Sequence, residues 1–210
     1  MKGAFLIGAT ASLLWSWWPA QAAAETGPRQ TIEAADQRIR QLLAVQAPSG
    51  SAEAARRDEQ LGEVVGELLD LDQMAHDALG RYWDRLSPPE RREYRELLGQ
   101  LVEQAYLGQV RAHVAYQLQF GEISVDRDQA WVETLVVLTS DPRGPTFQVV
   151  FDMTRRDGRW RVREIVSDGV HLVGSYRVQF TRLIRHRGFA ELLRRMRERL
   201  GQGTPATSTP

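Results

Sequence analysis

The sequence predicts a single α+β domain in which a curved, antiparallel four-stranded sheet packs against several helices. Two observations carry that prediction. Up to His113 the apolar residues recur with a period near 3.6, whereas from Tyr116 to Ser167 they fall into short β-rich runs separated by tight turns. A helical period returns after Val170. Helices and strands gathered into separate blocks are the α+β pattern, and connectors this short allow only a meander.

The first helix is expected over Gln30 to Gln46, with Ile32, Ile39, Leu42 and Leu43 on one stripe, and Pro48-Ser49-Gly50-Ser51 breaks it. The next carries Leu61, Val64, Val65 and Leu68 at i, i+3, i+4, i+7. A short helix from Leu71 to Leu79 ends at Gly80, a residue that terminates helices readily. Ser87-Pro88-Pro89-Glu90 reads as a capping box with proline at the first helical position. It opens a long helix with Tyr94, Leu97, Leu98, Leu101, Val102, Ala105 and Tyr106 along one face.

Four strands follow: Tyr116–Val125, Ala130–Thr139, Thr146–Arg155 and Arg159–Ser167. Asp126-Arg127-Asp128, the Asp141–Pro145 segment and Arg156-Asp157-Gly158 are turn chemistry. Phe147, Val149, Phe151 and Met153 alternate to form one apolar face, while the second strand is apolar on both faces, as a central strand would be. Two helices, about Val170 to Arg185 and Gly188 to Leu200, complete the domain.

At 210 residues the chain fits one domain of ordinary size, and 42% hydrophobic residues support a real core. A net charge of zero disfavours nucleic-acid binding. With no cysteine there is no disulfide, thiolate metal site or thiol nucleophile. Lys2, the apolar run Ala4–Trp18 and the A-x-A sequences before Glu25 describe a cleavable export signal over residues 1–24, cut after Ala22 or Ala24. The run is short for a permanent anchor, since roughly 20 residues are needed to span a bilayer. The expected organisation is therefore a signal peptide, a domain over 25–200 and a polar, disordered tail over 201–210.

Catalytic chemistry has little to work with. His76, His113, His171 and His186 match no metal spacing, and neither a G-x-S-x-G elbow nor a phosphate-cradling loop occurs. Asp70 and Asp72 near a helix start fit stabilisation of the macrodipole. The reading is not an enzyme, with no cofactor and no metal.

The most informative stretch is a strand, a glycine turn and an amphipathic helix: Asp168-Gly169-Val170, Leu172-Val173, Tyr176-Arg177, Gln179-Phe180, then Gly188-Phe189. Ala78-Leu79-Gly80-Arg81-Tyr82-Trp83 with Ser87-Pro88, Gln104-Ala105-Tyr106 and the Asp157-Gly158-Arg159-Trp160 hairpin accompany it in consistent order. Together, from about residue 30 to 200, these resemble the toluene-tolerance (MlaC) family of periplasmic phospholipid-binding proteins. The resemblance implies an apolar cavity between sheet and helices that holds the acyl chains of a diacyl glycerophospholipid as cargo. It also implies a monomeric shuttle between an inner-membrane ABC transporter complex and an outer-membrane lipoprotein–porin complex, maintaining outer-membrane lipid asymmetry. A branch associated with hopanoid or other isoprenoid lipids, and an adaptor subunit that binds no lipid, stay open as alternatives.

Matching to the family's cavity positions points to Tyr106, Phe147 and Val170 as lining residues. Strand alternation and helix spacing add Trp131, Val149, Phe151, Val173 and Tyr176. His171 departs from the small polar residue, commonly serine, that the family has there, which bears on cargo preference. Arg182, Arg185, Arg187, Arg194, Arg195, Arg197 and Arg199 form a basic face balanced by Glu191 and Glu198, part of which is a candidate dock for acidic partners.

Overall fold

The computed structural model describes residues 26–45, 47–48, 50–112, 116–139, 143–144 and 146–201, and for 106–112 the backbone alone. The expected signal peptide and tail, His113 and most of the connector after the second strand lie outside the described residues. In chain order the elements are α1 (Pro28–Ala44), α2 (Ala52–Leu68), α3 (Leu71–Leu79), a 3₁₀ turn (Gly80–Arg85), α4 (Pro88–Ala112), β1 (Tyr116–Asp126), β2 (Gln129–Leu138), β3 (Thr146–Arg156), β4 (Arg159–Ser167), β5 (Val170–His171), α5 (Leu172–Arg187) and α6 (Phe189–Gly201).

The helix ends follow local chemistry. Ser51 Oγ accepts the Ala54 N–H at 3.1 Å to start α2, and Asp70 Oδ1 accepts the Gln73 N–H at 3.1 Å to start α3. Gly80 stops α3 at φ +51°, a conformation that a Cβ would strain. The box at α4 forms as expected, with the Ser87 N–H and hydroxyl both donating to Glu90 Oε2 at 2.8 and 2.6 Å. Those bonds hold the Glu90 carboxyl below its ordinary pKa.

The sheet is an antiparallel meander in the order β1-β2-β3-β4-β5. It has five strands rather than four. Asp168 and Gly169 take positive φ of 47° and 80°, a tight hairpin that returns Val170 and His171 against Ser167 and Val166 before α5 begins. The helix expected from Val170 therefore starts two residues later, because those residues are first used as a strand. Register shifts interrupt β1–β2 between Phe120 and Ile123, and β3–β4 between Asp152 and Met153. Bulges of this kind bend and twist a sheet.

The helices cover one face. The register puts Val125, Ala130, Met153 and Val162 in one row across the sheet, and Ile123, Val132, Phe151 and Ile165 in the next. Ala130, Val132, Met153 and Val162 are fully buried against a cluster that includes Ile39, Leu61, Leu79, Leu98 and Leu192. A parallel bridge from Leu69 to Val162, with the Asp70 N–H donating to Val162 O at 2.8 Å, ties the helical layer to β4. At β1, α1 is clamped by side chains: Tyr116 Oη donates to Asp36 Oδ1 at 2.7 Å, and Arg40 Nη1 donates to Tyr116 O at 2.8 Å. A second aromatic centre joins the helices, with the Tyr94 ring 6.0 to 6.5 Å from Trp83, Phe180 and Phe189.

Candidate functional site: a half-covered apolar sheet face

The covered face of the sheet is mostly apolar, and its burial is graded. Beyond the two rows that carry Ala130, Val132, Met153 and Val162, the next row across the sheet is Phe120, Thr134, Val149, Ser167 and Val170, followed by Leu118, Val136 and Phe147. Thr134 marks the boundary. It is 2% exposed, and its hydroxyl is satisfied by donating to Val149 O across the strands at 2.8 Å. Past it Val136, Leu138, Phe147 and Val149 are only half-buried, and Val170 is 63% exposed. Half-exposed apolar side chains gathered at one end of a sheet face are the kind of surface that an apolar ligand covers.

The structure sorts the predicted lining residues. Phe147, Val149 and Val170 share the open rows. Val170 is no core residue, being exposed beside the hairpin. Phe151 lies one row deeper and is buried, and Val173 in the first turn of α5 is buried as well. Tyr176 is half-buried and stacked on Phe180 at 5.2 Å, and burial raises its phenol pKa. Trp131 alternates with Val132 and pairs with Asp152, so it lies on the opposite face, apart from the others. Tyr106 belongs to α4, and its side chain lies outside the described residues.

Spacing did not single out Glu164, which lies among alternating arginines and reads as surface. Its carboxylate accepts the N–H groups of Val173 at 2.8 Å and Gly174 at 3.2 Å, the first turn of α5. Asp168 secures the neighbouring hairpin, accepting the Gln148 N–H at 3.0 Å while its own N–H donates to Gln148 O at 2.9 Å. The rim at Val170 is thus held by two carboxylates bonded to backbone.

A groove of about 420 Å³ elsewhere, between α2, the start of α3 and α4, is lined by Gly62, Gly66, Gly99, Asp70, Arg95 and Glu103 among others, and by none of the predicted lining residues. It lies apart from the open sheet face, with Asp70, Asp72, Arg95, Glu96 and Glu103 among its lining residues. Three of the arginines of α6 form local ion pairs: Arg194 with Glu191 and Glu198, Arg195 with Glu191 at 2.9 Å, and Arg197 with Glu93. Among the described residues, no three His, Asp or Glu side chains gather as a metal ion requires, and no helix is long and apolar enough to cross a membrane.

Two comparisons fit this geometry. The family model described as "MlaC protein" matches residues 33–198. A phospholipid-binding protein from Ralstonia solanacearum, solved in complex with a phospholipid, has a similar fold with a TM-score of 0.67 and 18% identity, over 82% of this chain and 96% of that one. No curated protein sequence matches the chain.

Proposed function

Because the chain belongs to the MlaC family, we propose that it is a periplasmic carrier that encloses the acyl chains of a diacyl glycerophospholipid against the open half of its sheet face. In this reading residues 1–24 direct export and are removed, and the monomer moves its cargo between an inner-membrane ABC transporter complex and an outer-membrane lipoprotein–porin complex. The observation that carries it is the burial gradient, full at Met153 and Val162 and only partial at Phe147 and Val149 on the same face. The phospholipid bound by the Ralstonia solanacearum protein of similar fold supports the same cargo class.

The energetics favour enclosure of this kind. Leaving acyl chains in water costs about 0.8 kcal/mol per methylene. Two chains of about 30 methylenes together would then cost on the order of 20 kcal/mol. A carrier recovers most of that through apolar contact alone, so selection between acyl chains should be weak. Binding is the activity proposed.

Native mass spectrometry of the mature protein, followed by lipid extraction, tests the reading. A one-to-one adduct that releases a diacyl phospholipid is the expected result. A polycyclic lipid would move the protein to isoprenoid cargo, and a folded protein that neither carries nor takes up phospholipid would leave an adaptor role.

A further inference from the structure

Helix α5 begins without a cap of its own. His171 occupies the N-cap position but makes no side-chain capping bond, and the first turn holds no acidic residue. The first-turn N–H groups of a helix need acceptors, and leaving them buried and unpaired is costly. The acceptor comes from another element. Glu164, on β4, reaches Val173 N with Oε1 at 2.8 Å and Gly174 N with Oε2 at 3.2 Å, and its side chain is only 16% exposed. The His171 imidazole stands over the same carboxylate, Nδ1 to Oε2 at 3.7 Å, against Gly174, where an added Cβ would come 3.0 Å from His171 Cβ.

Glu164 is placed by the β3–β4 bulge. Asp152 pairs with Glu164 and Met153 with Val162, so Arg163 is the extra residue, held by its Nε donating to Asp152 Oδ1 at 2.9 Å. The segment between Glu164 and Val173 contains the Asp168-Gly169 hairpin and Val170 at the open end of the apolar face. One carboxylate therefore closes a loop around the rim, binding its strand side to its helix side.

We propose that Glu164 is a positioning residue for lipid retention: by capping α5 from β4 it holds the Val170 rim in place and sets the rate at which bound phospholipid leaves. The proposal rests on the carrier reading above. It separates two effects of the same bonds, stabilising the helix end and tethering that end to the sheet. A His171→Asp substitution discriminates them, because an aspartate at the N-cap accepts the same second- and third-position N–H groups from within α5 and cannot tether α5 to β4.

The test loads wild type, Glu164→Ala and Glu164→Ala/His171→Asp with a fluorescent phosphatidylethanolamine. It then follows transfer to phosphatidylcholine acceptor vesicles alongside thermal unfolding of each protein. Glu164→Ala should lower Tm and speed release about tenfold, the scale set by one lost cap. The double variant should recover Tm while keeping the fast release. Release at the wild-type rate in the double variant would reduce Glu164 to an ordinary helix cap and overturn the proposal, as would unchanged release in Glu164→Ala. Should Glu164→Ala fail to fold, the double variant alone decides between the two. Wild type that takes up no phospholipid would instead overturn the carrier reading, and the retention role with it.

Discussion

The two ends of one sheet face are built from the same residue types on the same strands, yet one is solid and the other half open. At the hairpin end Ala130, Val132, Met153 and Val162 are sealed beneath the helices, while at the far end Val136, Leu138, Phe147 and Val149 keep part of their surface. The difference lies in what covers them. Leu69 and Asp70 bond directly to β4 at Val162, drawing the helical layer onto the closed end. At the open end side chains of α1 hold it to β1 at Tyr116, and the β5 hairpin with the first turn of α5 lies along the β4 edge. Apolar composition decides that a face will be covered, and the path of the chain decides how completely.

Charge placed at the open end should have the largest effect. Val170→Glu should abolish phospholipid co-purification, since an unpaired carboxylate against acyl chains bears a heavy desolvation cost. Because Val170 is 63% exposed, its stability should change by no more than about 0.5 kcal/mol. The same change at Trp131, on the opposite face, should leave lipid content at the wild-type level. Lipid extraction from both purified variants checks this, and equal loss from the two would erase the distinction between the faces.

Truncation should then separate the two ends by stability. Met153→Ala empties a fully packed site and should cost about 2–5 kcal/mol in urea unfolding of the lipid-free protein. Val149→Ala, half-buried, should cost about 1 kcal/mol or less. Equal costs would mean that the open end is as well packed as the closed one.

The smallest effect is one of pH and lies outside both ends. Glu191 on α6 is pulled down to about 2 by the guanidinium groups of Arg194 and Arg195. A depressed carboxylate stabilises the fold above its unfolded pKa, and that contribution is lost as pH falls through the folded value. It should therefore fade between about pH 4.5 and 2, without favouring either end of the sheet. An NMR titration should find the Glu191 pKa near the low value, and Arg194→Gln should return it toward the ordinary range. A wild-type Glu191 titrating in the ordinary range would remove the ion-pair account of α6.

Much of this was legible because several signals are local. Ser87 and Glu90 are three residues apart, and the structure forms the box that their spacing implies. The strand bounds follow from turns such as Asp157-Gly158, where both residues take positive φ. Phe147 and Val149 could be placed on one face by alternation. Trp131 could not, because the run from Trp131 to Leu138 is apolar at nearly every position and its parity emerges only from the pairing with β3. The fifth strand escaped notice because two residues carry no periodicity. Glu164 escaped for a different reason: its role depends on a bulge that re-aims it toward a helix starting eight residues later, and sequence spacing carries no trace of that.

The Leu69–Val162 bridge gives the molecule the mechanics of a hinged clip. A backbone hydrogen bond pins the helical layer to the sheet at Val162, whereas side chains alone hold α1 to β1 at Tyr116, so a pivot would fall at Val162. A small rotation about a pivot becomes a displacement that grows with distance from it. In the carrier reading, a parting at Val170 would strain the side-chain ties at Tyr116 and Glu164 before it moved Val162. On that same reading, chains of different length and girth would then be admitted by changing one angle, with no need to repack the core.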